Sequence, residues 1–296
     1  MATRLRLYLA PEGFFLHFWS LLRTATGELY INNGLGIAKG AAFSALLAFF
    51  PLLTTLAALL VQARAEDVAR TIASFLYEVV PPGTQDVVLR LFVVKGQRPV
   101  YLLVVAVMFA VWAASGTMMS LMEGFHGIYH TPASRSAIRE RVIAILMVFV
   151  AAVPVLGASA LIVFGARAEG AVSAWLGLGQ QEEELRGWAV LLGQTLRYGL
   201  AFLSLVVVTV FIYYIGPNRR QSFRTVLPGA VLATVLWFVA TLAFGWYVRH
   251  VADYNVVYGS VGAGLALLVW MYLLAIITLY GCEFNAVRER LRHPGD

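Results

Sequence analysis

The chain has 296 residues, of which 60% are apolar and only 13% are charged, and its mean hydropathy is +0.77. Soluble proteins carry roughly 45–50% apolar and about 25% charged residues. This composition therefore excludes a soluble two-domain enzyme, a disordered chain and a fibrous protein, and it predicts a polytopic membrane protein. The net charge of +6 is attributed to residues that set orientation in the membrane, and no nucleic-acid partner is predicted.

The N-terminal segment lacks the pattern of a removable signal peptide, and none is predicted. Residues 14–31 mix aromatic and aliphatic side chains with Arg23 and Glu28. This mixture predicts an amphipathic helix at the cytoplasmic interface. Its apolar residues are Phe14, Phe15, Phe18, Trp19, Leu22 and Ile31.

Six apolar stretches are each long enough for a membrane-spanning helix, which needs about 20 residues. They cover roughly residues 37–62, 99–122, 141–165, 188–215, 227–249 and 259–286. None has the alternating pattern of a transmembrane β-barrel. We therefore predict an all-α fold, a polytopic membrane helical bundle with six transmembrane helices. Residues 1–296 form a single integral membrane domain, with a cytoplasmic or interfacial segment 1–36, the bundle at 37–287 and a cytoplasmic tail 288–296.

Between the first two stretches, residues 66–80 carry apolar side chains at helical spacing and end before Pro81-Pro82-Gly83. This pattern predicts a short helix, and a second one is expected at 84–95. Both would lie on the outer side of the membrane, because the distribution of Lys and Arg sets the orientation. Thirteen of them lie on the side of the termini, with a net charge of +7, and eight on the other side, with a net charge of −1. Both termini are therefore predicted to be cytoplasmic.

Arg197 is the charge that this arrangement leaves inside an apolar stretch. If the fourth helix begins near Trp188, Arg197 lies about 14 Å deep in a core roughly 30 Å thick. An arginine at that depth costs at least ~2.5 kcal/mol and has to face protein, water or an anionic partner. Arg197 is therefore a candidate substrate-binding residue. The alternative is a side chain that reaches the interface, or a helix that begins later.

A second candidate site lies near the cytoplasmic end of the sixth stretch, around Glu283. Asn285 is close in sequence, and Glu123 and His126 are expected nearby. Tyr272 lies eleven residues before Glu283, on the same helical face. The alternative is an interfacial carboxylate paired with Arg288.

A third candidate lies at the outer end of the sixth stretch, where Tyr254, Asn255 and Tyr258 occur together. Tyrosines at that level are most often interfacial anchors. The histidines form no metal-binding motif, and no phosphate loop or nucleophile elbow is present. No metal, no cofactor and no catalytic residue are therefore predicted.

Small residues point to close helix packing, which lipid does not otherwise drive. Gly40 belongs to a series of small residues spaced by four in the first stretch, and Gly259 and Gly262 each precede an alanine by four. Pro51 predicts a kink in the first helix. A kink of this kind lines a cavity in some transporters and only bends the helix in other proteins.

Three groups of motifs carry a family resemblance. They are residues 42–53 (AFSALLAFFPLL); residues 213–217 (YYIGP) with Phe223-Arg224 and residues 227–230 (LPGA); and Tyr254, Tyr258-Gly259, residues 270–272 (WMY) and 281–286 (GCEFNA). With Arg135 and Arg141 they cover about residues 37–287. In these motifs the sequence resembles the YihY/virulence factor BrkB family of bacterial inner-membrane proteins.

The resemblance implies six membrane spans and an inner-membrane location, but no settled activity. Members were once labelled ribonuclease BN, and this sequence lacks the clustered His and Asp ligands that a metal-dependent ribonuclease needs. Some relatives are linked to the handling of envelope lipids. We therefore predict a non-enzymatic protein that moves, or helps to move, a lipid or amphipathic anionic envelope molecule, with membrane lipids as partners. The alternatives are an ion or solute transporter that uses Glu283 and Glu123, and a structural membrane protein. A homo-oligomer is left open.

Overall fold

A computed structural model of the chain describes residues 11–62, 100–131, 135–153, 157, 183–250 and 260–292. These residues form helices joined by turns. The helices are α1 (Pro11–Ile31), α2 (Gly34–Gln62), α3 (Val100–Tyr129), α4 (residues 137–153), α5 (Glu183–Ile215), α6 (Phe223–His250) and α7 (Ser260–Arg292). The predicted all-α class is confirmed.

Five of these helices are long and apolar enough to cross a membrane. Their candidate spans are Gly34–Leu56, Leu103–Tyr129, Gly193–Ile215, Phe223–Val248 and Gly264–Arg292. The predicted span 141–165 is helical to residue 153, and most of its remainder lies outside the described residues. The count of six spans therefore stays a prediction. The short helices expected at 66–80 and 84–95 also lie outside the described part of the chain.

α2 and α3 pack side by side in opposite directions. A Cβ atom built on Gly40 of α2 would lie 3.7 Å from the Oγ of Ser120, and one built on Gly116 of α3 would lie 3.5 Å from the Oγ of Ser44. Between these two contacts the residue number rises along α2 and falls along α3, so the two helices are antiparallel. Small residues at these positions let the helices approach closely, as membrane packing requires.

α7 occupies the centre of the bundle and contacts α1, α2, α3 and α6. Its residues 281–287 are all buried. The closest approach is to α6, where the backbone of Gly281 faces the backbone of Gly229 and a Cβ on either glycine would clash with the other's carbonyl oxygen. α6 and α7 are also antiparallel, since the indole N–H of Trp237 donates to the carbonyl of Leu274 at 3.0 Å.

The predicted N-terminal helix is present as α1. Leu21, Ala25 and Leu29, spaced by four, face the protein, and the first two pack against Phe284 and Val287 of α7. Phe18 also contacts Phe284, with 6.0 Å between the ring centroids, whereas Trp19 and Ile31 are 69% and 75% exposed. One side of α1 therefore packs on α7, and the placement of α1 at the membrane interface stays a prediction.

The junctions α1–α2, α3–α4 and α5–α6 and the C-terminal part of α7 meet at one end of the bundle, which we call the polar end. The α1–α2 junction is a tight turn in which Asn33 has φ = 54°, a left-handed conformation that asparagine tolerates better than most residues. At the polar end Arg219 pairs with Glu289 and Arg290 pairs with Glu28. The charges excluded from the apolar spans therefore gather here.

The α6–α7 contact yields a prediction about stability. Gly281→Ala would place a Cβ 2.6 Å from the Gly229 carbonyl oxygen and 2.8 Å from the Cβ of Ala233. Because both neighbours belong to packed helices, we expect a loss of about 1–3 kcal/mol of stability. Thermal unfolding of the detergent-purified protein would show it as a lower Tm.

Gly264→Ala is the matched control on the same helix, because nothing lies within 4 Å of a Cβ at Gly264. Its Tm should be unchanged or slightly raised, since alanine favours helix. Equal Tm values for the two variants would contradict the close contact between α6 and α7.

Candidate functional site

Glu283 of α7 is fully buried at the polar end. Its Oε2 atom accepts a hydrogen bond of 3.1 Å from the Nδ2 of Asn32, in the α1–α2 junction. Its Oε1 atom is buried and has no hydrogen-bond partner among the described residues. A buried carboxylate oxygen without a donor is costly, so this position requires an explanation beyond packing.

An ion pair lies close to Glu283. Arg290 lies 3.3 Å from Glu28 of α1, measured from Nη1 to Oε2, and its Nη2 donates to the carbonyl of Ile128 in α3 at 2.8 Å. One arginine thus joins α1, α3 and α7. The hydrogen-bond donor to Glu283 is Asn32 and not Arg288, which the sequence suggested as the alternative partner.

Asn285 serves a different contact. Its Oδ1 accepts from the backbone N–H of Gly229, and its Nδ2 donates to the carbonyl of Val226, both at 2.8 Å. Both partners flank Pro228, which lies inside α6 and disturbs helix hydrogen bonding because it has no N–H. Asn285 therefore supplies, from α7, hydrogen bonds to the backbone of α6 beside Pro228.

The polar groups expected around Glu283 are thus distributed over several places. Asn285 binds α6, whereas His126 faces Glu140 of α4, with 3.8 Å from Nδ1 to Oε1. Glu123 is exposed. Tyr272 is partly buried and packs against apolar clusters. No hydrogen bond or ion pair within the described residues joins these side chains to Glu283.

Arg197 lies in α5, four residues after the start of the candidate span Gly193–Ile215. The helix itself begins at Glu183, before Trp188, so it does not begin later than the sequence suggested, and the depth of Arg197 in the membrane stays a prediction. The side chain of Arg197 and the residues Asn255, Tyr258 and Gly259 lie outside the described parts of the structure.

The residues proposed for packing lie as follows. Gly40 faces Ser120 across the α2–α3 contact, and Gly262 is buried in α7. α2 runs as one helix through Pro51. The hydroxyl of Thr55 is buried without a partner in the described part of the chain, four residues after Pro51.

Arg141, near the start of α4, is a charged residue whose depth the sequence did not predict. Its guanidinium carbon lies 3.8 Å from the centre of the Trp112 ring, and its Nη1 lies 2.9 Å from the Sδ of Met119. Both partners belong to the span Leu103–Tyr129 and lie on either side of its midpoint. The Nε of Arg141 is buried without a hydrogen-bond partner among the described residues. The structure therefore brings this positive charge to the middle of α3.

Arg141 was counted with the connection between two spans because it directly precedes an apolar stretch. The spacing of seven between Trp112 and Met119 places them on one face of α3, but nothing in the sequence indicates that α4 packs on that face. The surroundings are apolar and open to the outside. Trp112 and Val142 are both 59% exposed, so the contact between α3 and α4, which we call the α3–α4 seam, borders an exposed apolar surface.

The polar end of the α3–α4 seam carries a second group of polar atoms without partners. Arg135 donates from Nε to the Oδ1 of Asn218, in the α5–α6 junction, at 2.9 Å. Its Nη1, the Nε2 of His126 and the Oγ1 of Thr131 are buried without partners among the described residues. Burial and then the positive charge of Arg139 lower the pKa of Arg135, and Glu140 acts against this. Each unmet buried donor costs about 1–3 kcal/mol.

Among the described residues, no three His, Cys, Asp or Glu side chains come together in a group that could hold a metal ion. The single cysteine, Cys282, is fully buried.

Comparison with known proteins gives consistent matches. The family described as virulence factor BrkB matches residues 27–296. A protein of Bacillus subtilis that carries the name ribonuclease-like protein YfkH is 32% identical over 187 residues, 63% of this chain and 66% of that protein. A UPF0761 membrane protein of Chromohalobacter salexigens is 26% identical over 273 residues, 92% of this chain and 64% of that protein.

A UPF0761 membrane protein of Pseudoalteromonas translucida is 32% identical over 105 residues, 36% of this chain and 34% of that protein. The chain thus spans less than two thirds of the length of each of these relatives. No solved structure matches the chain.

Proposed function

The chain belongs to the virulence factor BrkB (YihY/UPF0761) family of polytopic membrane proteins, and we propose that it moves, or helps to move, a lipid or other amphipathic anion across a bacterial inner membrane. The observation that carries this proposal is the guanidinium of Arg141, which lies between Trp112 and Met119 in the middle of α3. The proposal treats this cation as the binding point for the charged part of the substrate.

An arginine at this depth is expensive unless it has a partner. Stacking on Trp112 stabilises the cation by about 0.5–2 kcal/mol, and a thioether such as that of Met119 is only a weak acceptor. Among the described residues no carboxylate pairs with Arg141, and its Nε has no acceptor. An anionic headgroup would supply both the missing charge and the missing acceptor.

The position of the seam supports a lipid rather than a small soluble anion. The side chains of α4 next to the seam are apolar and exposed, among them Ile138, Val142 and Leu146. Acyl chains would remain against this surface while the headgroup contacts Arg141. In this arrangement the headgroup of a lipid crosses along the protein while its acyl chains stay outside the protein.

A second candidate function is transport of a proton or a small ion. The specific observation is Glu283, which is fully buried with one carboxylate oxygen lacking a partner among the described residues. Intramembrane carboxylates with these properties often belong to ion pathways.

We also propose membrane lipids as partners of this protein, whichever substrate it moves.

We further propose that the polar end faces the cytoplasm, because arginines are concentrated there and cytoplasmic loops carry an excess of Lys and Arg. The arginines at this end are Arg135, Arg139, Arg219, Arg220, Arg224, Arg288, Arg290 and Arg292. The described acidic side chains at the same end are fewer, namely Glu28, Glu123, Glu140, Glu283 and Glu289.

The lipid proposal predicts that Arg141→Ala slows transbilayer movement of phosphatidylglycerol in proteoliposomes about tenfold, the effect of losing one charge-assisted contact. Arg141→Lys should keep part of the rate, because it retains the charge but loses the planar contact with Trp112. Fluorescent lipid analogues with a membrane-impermeant quencher would measure both.

Arg224→Ala is the control, since Arg224 is an exposed arginine at the start of α6. It should transport at the normal rate. A normal rate in Arg141→Ala would remove Arg141 from the mechanism. If the intact protein moves no lipid, the lipid proposal is wrong, and a structural role without transport is then favoured.

The ion proposal predicts a pH-dependent cation flux in liposomes that Glu283→Gln abolishes. Glu123→Gln is the comparison, because Glu123 is exposed and should not affect the flux. A dye trapped in the liposomes would report the flux. Equal pH-dependent flux in the wild type and Glu283→Gln would exclude Glu283 as the titrating group.

The orientation can be tested by labelling cysteines. Cys282 is buried, so the unmodified protein should give little background with a membrane-impermeant maleimide. Arg220→Cys, at an exposed position of the α5–α6 junction, should be labelled in inverted vesicles and not in intact spheroplasts. Labelling in intact spheroplasts would reverse the orientation.

A further inference from the structure

The polar end of the α3–α4 seam contains hydrogen-bond donors that nothing described in the protein satisfies. They are the Nη1 of Arg135, the Oγ1 of Thr131 and, when it carries the proton, the Nε2 of His126. Native proteins satisfy most buried polar groups, so several unmet donors in one region indicate a missing acceptor. We call these three residues the α3–α4 donor group.

The backbone and the neighbouring elements hold the donor group in place. The N–H of Thr131 donates to the carbonyl of His126 at 3.0 Å, which keeps these two residues one helical turn apart. Between them His130 has φ = 52°, a left-handed conformation that ends α3. Arg135 is fixed separately, by its bond from Nε to Asn218 at 2.9 Å. These bonds hold the backbone of His126 and Thr131 and the Nε of Arg135 without any ligand.

The charges around the donor group leave a positive balance. Arg135 and Arg139 lie together, and Glu140 is the carboxylate beside them. Glu140 faces the Nδ1 of His126 at 3.8 Å, the ring nitrogen on the other side from Nε2. In a protonated His126, the Nδ1–H would therefore point to Glu140, and the Nε2–H would be available to donate to a ligand. Arg219, the next arginine, is already paired with Glu289.

We propose that His126, Thr131 and Arg135 form a binding site for a phosphate group. A phosphate offers at least three acceptor oxygens and a negative charge, which matches a guanidinium, a hydroxyl and an imidazole better than the two oxygens of a carboxylate do. This site would bind part of the substrate of the proposed function, and it rests on that proposal for one point, the source of the phosphate group. Arg141 lies in the same seam, and it would contact the phosphate group after His126, Thr131 and Arg135 have bound it.

Two sources share this chemistry, a phospholipid headgroup and free phosphate or a soluble phosphomonoester. The seam borders an exposed apolar surface, where Ile138 is 79% exposed, so we favour a lipid headgroup. The test therefore uses inorganic phosphate in one arm and phosphatidic acid in the other, with diacylglycerol as the lipid that lacks the phosphate.

The test is a binding measurement on the full-length protein in detergent, with calorimetry for inorganic phosphate at constant ionic strength and lipid-dependent thermal stabilisation for phosphatidic acid. Arg135→Gln should weaken binding about tenfold, the scale of one charge-assisted hydrogen bond. Thr131→Val should weaken it several-fold. Arg292→Gln, at an exposed position of α7, should bind normally.

Thr131→Val also gives a measurement that does not depend on the ligand. Because it removes a buried hydroxyl without a partner, it should keep or raise the Tm of the ligand-free protein while reducing the stabilisation by phosphate. A lowered Tm without ligand would show that the hydroxyl has a structural partner and would overturn its place in the site.

The outcomes are distinguishable. Saturable binding of phosphatidic acid and not of diacylglycerol, lost in Arg135→Gln, supports a lipid headgroup, and binding of inorganic phosphate with the same loss supports free phosphate as the source. No saturable binding in either arm overturns the site. Binding with no lipid movement would contradict the proposed function alone, and lipid movement that Arg135→Gln and Thr131→Val leave unchanged would contradict this site's part in it.

Discussion

The close approach of α6 and α7 at Gly229 and Gly281 organises the rest of the bundle. Lipid does not press helices together as water does, so contact has to come from backbone proximity and interhelical hydrogen bonds. Here both occur at one place, since Asn285 binds the backbone on either side of Pro228. With α6 fixed in this way, α7 also packs against α1, α2 and α3. The buried run 281–287 is the result.

Interhelical hydrogen bonds also divide the buried polar side chains into two sets, those that have a partner on a neighbouring helix and those that have an atom without one. Asn285 and Tyr213 have partners on a neighbouring helix; the Tyr213 hydroxyl donates to the carbonyl of Thr278 at 2.6 Å. These groups are satisfied and hold the bundle together. Glu283 and Arg141 each keep an unpartnered polar atom within the described residues. A buried polar atom without a partner costs free energy, so packing alone does not explain the positions of these two residues and of the unpartnered groups beside Arg135.

Counting charges along the sequence identifies a charge that lies inside an apolar stretch, but not the depth of a charge that lies beside one. The sequence identified Arg197 as the charge inside a span, because it lies within an apolar stretch. It did not identify Arg141, which adjoins such a stretch and belongs to a helix that packs along the middle of α3. The depth of a charge next to a span depends on how its helix is offset against its neighbours. That offset is a property of packing, and local hydropathy does not contain it.

The sequence by itself determined the class of the protein, the five candidate spans that the structure describes and its family, because apolar length, the exclusion of charge and the spacing of motifs are local properties. It also identified Glu283 and Asn285 as polar residues at the end of the last span. Only the tertiary structure decided their partners, since Glu283 binds a residue 251 positions away and Asn285 a residue 56 positions away. It likewise placed Leu21 and Ala25 of α1 against Phe284 and Val287 of α7. Two helices meet where their side chains allow the backbones to approach, and that complementarity exists only between segments far apart in the chain.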